Sequence, residues 1–163
     1  MNIFVLDNDP LVAAEYNCDK HVVKMILELF QQMGSAVIRH GATPDKMPLT
    51  SKGTPLKGGY HHHPCTRWCG ESRENYLWAS IHALGLCFEY TKRYNKIHSC
   101  QKGIEQLCEM DSIIPDGKLT NFAQAMPDEY RNDNAVVAYR TYYRNDKKNF
   151  ATWKSGNVPY WWS

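Results

Sequence analysis

The sequence lacks any long apolar run, and this sets the first limit on what the protein can be. No stretch approaches the roughly 18 consecutive apolar residues that a membrane-spanning helix needs, so we expect no membrane association. The first residues, Met1–Val5, have neither the basic start nor the long apolar core of a secretory signal. We therefore expect a cytoplasmic protein whose six cysteines stay reduced.

The sequence also has little net charge and no repetition. Lys and Arg number 19 against 17 Asp and Glu, which leaves a net charge of +2. A net charge this small permits binding to nucleic acid but does not require it. There is no internal repeat and no low-complexity segment, and the 163 residues suit one domain with one core.

Helical spacing of apolar residues covers most of the chain. It predicts a mainly α protein, a compact single-domain helical bundle over residues 1–163. Asp9 and Pro10 predict the start of the first helix, and Asn134 or Asp133 the start of the last. Asn2–Leu6 is expected to form a short strand or an extended arm, and Asn121–Ala125 a helical turn. Helices are predicted at residues 11–16, 17–37, 71–94, 104–110 and 135–145.

Two segments fall outside these helices. Gly41–Tyr60 contains three prolines and four glycines, which predicts a long loop. Five Trp and ten Tyr make the chain rich in aromatic residues. Several of them lie in Phe150–Ser163, a tail that also contains Gly156 and Pro159. This aromatic tail must either pack on the rest of the domain or stack on a ligand.

The helix predicted at residues 17–37 carries two stripes of different chemistry. An apolar stripe, typical of a core face, consists of Val22, Ile26, Leu29 and Met33 with Phe30 beside them. A second stripe at spacings of three and four residues consists of Cys18, His21, Met25, Glu28 and Gln32. A thiol, an imidazole and a carboxylate on one helical line indicate a functional site if that line faces a cleft. The alternative is an ordinary solvated helix face.

One chemistry open to the second stripe is metal binding. Cys18 and His21 have a C-x-x-H spacing, and residues 61–69 contain three consecutive His and two Cys. A tetrahedral zinc site could be formed by Cys18, His21, His63 and Cys65. Otherwise Cys65 is a buried free thiol and the His run is a flexible loop. Thiol catalysis, with a lowered pKa for Cys18 or Cys65 beside a His partner, is a further alternative.

The other chemistry is base excision from nucleic acid. A carboxylate, here Glu28, would stabilise a cationic sugar while an unprotonated amine attacks the anomeric carbon. An α-amino group, with a pKa of about 8, suits that role better than a surface lysine. Phosphate contacts would come from Lys20, Lys24, Arg67, Arg73, Lys92 and Arg93. Bases would stack on Trp153, Tyr160 and Trp161. Alternatively, Lys92 and Arg93 are exposed residues at a helix C-terminus, where positive charge suits the negative end of the helix dipole.

The segment Asp19–Glu28, with the sequence DKHVVKMILE, resembles the first helix of the small phage pyrimidine-dimer DNA glycosylases of the endonuclease V type. In that family Asp-x-His begins the helix, and a catalytic Glu follows the His by seven positions, as Glu28 follows His21. The helix ending at Tyr94 is similar to the family's second helix, and Trp153–Trp162 is similar to its aromatic C-terminal segment.

The resemblance implies a compact, mainly α enzyme without a metal. It implies base flipping, a Schiff base formed by the N-terminal amine, and cleavage of the abasic strand. Glu28 would be the catalytic carboxylate, and His21 would orient the DNA or Glu28. The amine would belong to Met1, or to Asn2 after loss of Met1, a loss that Asn at position 2 disfavours.

The implied partner is double-stranded DNA with a damaged or modified pyrimidine, bound by a monomer in the host cytoplasm. Two positions depart from the family pattern, because Ile3 and Leu27 stand where the family has Arg. The alternative function is a small zinc protein that binds nucleic acid or a partner without glycosylase activity.

Overall fold

The computed structural model describes residues 1–154 and 157–163; the tail residues Ser155 and Gly156 lie outside this description. The described chain is built from helices and loops, so the predicted mainly α class is confirmed. The α-helices are α1 (Pro10–Tyr16), α2 (Asp19–Arg39), α3 (Pro64–Cys69), α4 (Arg73–Tyr94), α5 (Gln101–Cys108) and α6 (Ala135–Asp146). Short 3-10 turns lie at Pro44–Lys46, Asp111–Ile113 and Asp128–Tyr130. None of the described helices is both long and apolar enough to cross a membrane.

Side-chain caps fix where the helices begin. The Asp9 carboxylate accepts hydrogen bonds from the backbone N–H groups of Leu11 and Val12, and Pro10 occupies the first position of α1. Ser72 caps α4 in the same way. Asn134 rather than Asp133 caps α6. The predicted turn at Asn121–Ala125 is wrong, because this segment is irregular.

The two long helices α2 and α4 pack against each other and organise the core. α1 packs on α4, α3 on α2, and α5 on both long helices. Every residue of both α2 stripes is buried, including Glu28 at 7% exposure. The alternative that the polar stripe of α2 is a solvated face is therefore wrong.

The apolar residues whose spacing predicted α4 lie on its exposed side. Leu77, Ile81, Leu84 and Phe88 all face solvent, and Phe88 is 68% exposed. The buried side of α4 is a different stripe, which includes Tyr76, Ala79, Ala83, Leu86 and Tyr90. The periodicity identified a helix, but it did not indicate which of the two faces packs.

The N-terminal segment Asn2–Leu6 is buried between α4 and α6 without strand structure, so of the two expected forms, a short strand or an extended arm, the arm is the one found. The His82 ring on α4 faces the carbonyl oxygens of Ile3 and Pro10, at 3.2 and 2.9 Å. From α6, the Arg140 guanidinium donates to the Leu6 carbonyl at 2.8 Å. These contacts hold the first residues of the chain in the interior, beside α2.

The loop Gly41–Tyr60 returns onto α2 before α3 begins. Ser35 on α2 donates its hydroxyl to the Gly59 carbonyl and accepts from the Gly59 N–H, both at 2.8 Å. Gly58 has φ +72° and lies against Ser35 so closely that a Cβ would collide with it. The close approach sets the position of the histidines that follow, residues 61–63.

The aromatic tail packs on the protein. Trp153 and Trp161 are only 8% and 7% exposed, and the Trp153 indole donates to the Tyr16 carbonyl. The Asp19 carboxylate accepts from the Lys154 N–H at 2.8 Å. The tail thus covers the start of α2, and of the three aromatic residues predicted to stack on bases only Tyr160 is exposed.

Candidate active site

The N-terminus and Glu28 meet at the buried middle of α2. The Glu28 carboxylate accepts the Asn2 N–H at 3.0 Å, and the same oxygen lies 3.6 Å from the Met1 amine. Lys24, one turn earlier on α2, places its ammonium 3.7 Å from the other oxygen. A carboxylate therefore faces both the terminal amine and a flexible lysine, and only 10% of its side-chain surface is exposed.

Asn2 fixes the path of the first residues. Its side-chain oxygen accepts from the N–H groups of Ile3 and Phe4, at 2.7 and 3.0 Å. Its amide donates to the Ala125 carbonyl at 2.8 Å, and its own carbonyl accepts from the Gln32 amide at 2.9 Å. The tight turn leaves Phe4 in the left-handed region at φ 51°, a conformation that is uncommon for a bulky residue.

Met1 lies in the same enclosure. Only 1% of its side-chain surface is exposed, and its sulfur contacts the Gln32 amide. The Gln32 side-chain oxygen is buried and has no hydrogen-bond partner among the described residues. Gln32 is the last member of the polar α2 stripe, so the stripe supplies both the carboxylate and a support for the first two residues.

His21, two turns before Glu28, has partners of its own. Its Nδ1 is 2.5 Å from the Tyr143 hydroxyl of α6. That hydroxyl also accepts from the Cys18 N–H at 3.2 Å and lies 3.5 Å from the Cys18 sulfur. The Phe4 ring stacks on the imidazole at a centroid distance of 4.3 Å. Seven residues of helix separate His21 from Glu28 by about 10 Å, and the N-terminal arm contacts both, with Asn2 at Glu28 and Phe4 at His21.

His21 is neutral at physiological pH. Burial, followed by the positive charges of Lys147, Lys24 and Lys20, lowers its pKa to about 3. Lys147 lies just beyond α6, with its ammonium 5.7 Å from the Phe4 ring centre and 4.5 Å from that of Tyr142. Sequence reasoning missed Lys147, because only the tertiary fold brings it beside α2.

His63 lies close to the other end of the site. It precedes α3, and its Nδ1 accepts the Cys65 N–H at 3.1 Å. Burial and then the positive N-terminal amine lower the pKa of His63, whereas the Glu28 carboxylate raises it. The imidazole is therefore within electrostatic range of both the amine and Glu28. His61 and His62 are exposed.

The family model described as pyrimidine dimer DNA glycosylase matches residues 1–102. The chain belongs to the pyrimidine dimer DNA glycosylase family. Its membership supports a role as a DNA repair glycosylase that binds DNA damaged by pyrimidine dimers. The matched region contains the N-terminus, Glu28, His21 and His63. No curated protein and no solved structure matches the chain.

In this family member the predicted zinc ligands are not assembled. Over residues 1–154 and 157–163, no group of three or more His, Cys, Asp or Glu side chains is arranged to hold a metal ion. Cys18 and His21 share Tyr143, whereas Cys65 lies 3.9 Å from the hydroxyl of Tyr139. The predicted set of Cys18, His21, His63 and Cys65 is therefore wrong.

The expected activation of a thiol is wrong as well. Burial raises the pKa of Cys18, and it raises the pKa of Cys65 to about 11. Both residues therefore remain thiols at neutral pH, and neither has the lowered pKa that a nucleophilic cysteine needs.

The basic residues predicted to contact phosphate fall into two groups. Four are exposed, namely Lys20, Lys24, Arg67 and Lys92, and of these Lys24 also pairs with Glu28 at 3.7 Å. Arg93 is fully buried, and its guanidinium binds Glu89 at 3.0 Å and Asp19 at 3.1 Å. Arg73 binds Asp111 at 2.7 Å and also faces Asp116. A phosphate contact by Arg93 is therefore wrong, because its side chain joins α4 to α2 in the interior.

Of the three residues predicted to stack on bases, two are buried and one is exposed. The Trp153 and Trp161 rings pack edge-on against Trp162 and against Tyr16 and Tyr143, respectively. Their predicted contact with bases is wrong in this arrangement, since both side chains are buried in the protein's own packing. Tyr160 is 77% exposed and receives a hydrogen bond from Arg140 at 3.1 Å.

Proposed function

We propose that the chain is a DNA glycosylase with abasic-site lyase activity, acting on damaged or modified pyrimidines in double-stranded DNA. The observation that carries the proposal is the placement of the N-terminal amine, 3.6 Å from the Glu28 carboxylate in a buried site. A nucleophilic amine needs a nearby base to take its proton, and it needs a carboxylate to stabilise the cationic sugar. Glu28 is positioned for both.

The bonding changes follow from these two groups. The amine lone pair forms a bond to the anomeric carbon, and the base departs with the electrons of the glycosidic bond. Glu28 takes the proton that the amine loses. Opening of the sugar ring then gives a Schiff base, and removal of a proton from the adjacent carbon expels the 3′ phosphate. This last step is the lyase activity.

A terminal amine would lie beside Glu28 whether Met1 is retained or removed. With Met1 present, the nucleophile is the Met1 amine beside Glu28. If Met1 is removed, the new amine is that of Asn2, whose nitrogen is already 3.0 Å from the same carboxylate oxygen. We propose the Met1 amine, because the buried Met1 side chain contacts Gln32 and Asn at position 2 disfavours removal.

The bound strand needs positive charge close to the reacting sugar. Lys24 reaches Glu28 from an exposed position, and Lys20 lies over the Phe150 ring at 4.7 Å. Lys147 stands over Phe4. We propose that these three lysines bind phosphates on the strand that carries the lesion. The neutral His21 then orients this surface through Tyr143 and Phe4 and does not supply charge.

Borohydride trapping tests the proposal. Borohydride reduces a Schiff base, so a duplex with a pyrimidine dimer should give a covalent adduct, and mass spectrometry should place the DNA on the first residue. Glu28→Gln should slow adduct formation by about 10²–10⁴-fold while DNA affinity remains.

The exposed Glu105 offers a matched control, since Glu105→Gln should leave trapping unchanged. A chain extended by two residues before Met1 should give no adduct, because its amine no longer lies beside Glu28. Absence of an adduct with the wild-type protein, on dimer-containing and abasic duplexes alike, would refute the proposal.

A further inference from the structure

The exposed side of α4 is apolar along its middle. From Leu77 to Phe88 the exposed residues of this helix are Leu77, Ile81, Leu84 and Phe88, and every other residue in that span is buried. The solvent side of a surface helix ordinarily carries polar side chains, and neighbouring exposed apolar residues indicate a surface that another molecule covers. These four residues, the α4 face, therefore indicate a binding partner.

The first helix adds a groove to the α4 face. The groove lies between α1 and α4, beside Ile81, Leu84 and Phe88, and has a volume of about 530 Å³. Leu11 of α1 lines its other side and is 56% exposed. Gly85 also lines the groove and has no side chain to fill it. A groove of this kind accepts apolar side chains from a second helix, because helices pack with the ridges of one in the grooves of the other.

The spacing of the α4 face reads the same in both directions. Its four residues follow one another at intervals of four, three and four, which is the spacing of the contact line between two packed helices. In an antiparallel pair of α4 helices, Leu77 faces Phe88 of the partner subunit, and Ile81 faces Leu84 of the partner subunit. A two-fold axis through the middle of α4 generates all of these contacts, so one surface is sufficient to form the interface.

Charged residues at the two ends of α4 favour the same antiparallel direction. Glu71 and Glu74 are exposed at the start of the helix, and Lys92 and Lys96 are exposed at its end. The basic residue at the start, Arg73, is bound by carboxylates of its own chain. Antiparallel packing places the acidic start of each helix beside the basic end of the other, whereas parallel packing would bring like charges together.

We propose that the chain forms a two-fold symmetric dimer, in which the α4 face of one protomer packs antiparallel on that of its partner. The partner that fits this surface is thus a second copy of this chain. The dimer departs from the monomer that the family resemblance implies. The α4 face contains neither the N-terminal amine nor Glu28, so this inference goes beyond the proposed function and does not depend on it.

Sedimentation velocity of the full chain tests the dimer. Measured from about 1 μM to about 1 mM, the range in which weak interfaces associate, the mass should rise from that of a monomer to that of a dimer. Phe88→Ala and Ile81→Ala should each raise the dimer Kd at least about thirtyfold, since each residue occurs twice in the interface. Leu49→Ala is the matched control, because Leu49 is 63% exposed in the loop before α3 and its loss should leave the Kd unchanged.

A charge reversal tests the antiparallel direction. Glu74→Lys alone and Lys92→Glu alone should each raise the Kd by about threefold to tenfold, because two symmetric surface pairs are replaced by like charges. The double variant Glu74→Lys with Lys92→Glu should recover the wild-type Kd, because it restores both pairs with reversed sign.

Three results would overturn the proposal. A monomer at every concentration would exclude the dimer, and a dimer that Phe88→Ala and Ile81→Ala leave unchanged would lie on another surface. A double charge variant no tighter than the single variants would exclude the antiparallel arrangement. Borohydride trapping by Phe88→Ala should equal that of the wild-type protein, so the dimer and the proposed function can fail separately.

Discussion

Lowering the pH should destabilise the protein through histidines that are buried in the neutral form. The pKa of His21 is lowered from 6.5 to about 3, and that of His82 to about 4, with burial as the largest cause for both. Between pH 6.5 and these values, the unfolded chain binds protons that the folded protein excludes. Stability is therefore complete above pH 6.5 and decreases as the pH falls.

The size of the effect follows from the shifts. Each histidine removes about 1.4 kcal/mol per pH unit over this range. At pH 4.5, two units below the unfolded pKa, each has cost about 2.7 kcal/mol, and the two together about 5 kcal/mol. A loss of this size is a large part of the 5–15 kcal/mol that is typical of a folded domain.

His21→Gln separates the two contributions, because glutamine does not titrate. The free energy of unfolding in urea should be measured at intervals from pH 7.5 to 4.5. The wild-type slope should be about 2.7 kcal/mol per pH unit below pH 6, and the variant slope about half of that. The variant also loses the contact with Tyr143, but this loss shifts the whole curve and does not change its slope. Equal slopes would refute the neutral, buried state of His21.

Two further substitutions test parts of the structure that the sequence alone misjudged or missed. Arg93→Met should lower the free energy of unfolding in urea by about 3–5 kcal/mol, because it leaves the Glu89 and Asp19 carboxylates without their buried partner; a loss below about 1 kcal/mol would contradict this. Lys147→Met should weaken DNA binding and reduce the slope of log Kd against log salt by about 0.9, the contribution of one phosphate contact. An unchanged slope in a salt titration would remove Lys147 from the DNA surface.

The fold was predictable where local chemistry decides. Asp9 followed by Pro10 begins α1 because a capping carboxylate and a fixed φ act within one turn. The placement of His21 and Glu28 on one helix face could also be predicted, since positions seven residues apart lie on the same side of a helix. These predictions needed no knowledge of what the rest of the chain does.

Burial was harder to predict because two faces of one helix can have the same period. On α4, the stripe through Leu77 and Phe88 and the stripe through Tyr76 and Leu86 both repeat every three or four residues. The buried stripe contains small residues, and at one of them, Gly85, α1 approaches so closely that a Cβ would lie 2.9 Å from the Ala14 side chain. The ion pair of Arg93, which Lys92 lacks, could have been predicted from the sequence, because Glu89 lies one helical turn before Arg93.

The site itself depends on contacts between distant parts of the chain. Asn2 donates to the Ala125 carbonyl, His21 contacts the Tyr143 hydroxyl, and the Lys147 ammonium lies over the Phe4 ring. Periodicity carries no information on such pairs. This explains why the sequence identified Glu28 and His21 as candidates but assigned His63 to a metal and overlooked Lys147.

The two departures from the family pattern acquire a physical meaning in this arrangement. Ile3 is 1% exposed and belongs to the core, and Leu27 is 46% exposed on the solvent side of α2. A cation next to Glu28 is nevertheless present, since Lys24 reaches it at 3.7 Å from one helical turn away. Glu28 accepts the backbone N–H of residue 2, and the Asn2 side chain holds the turn that presents this N–H through its bonds to Ile3, Phe4 and Ala125. The chain thus has the carboxylate and the amine as a pair, with positive charge supplied by Lys24, one turn before Glu28 on α2.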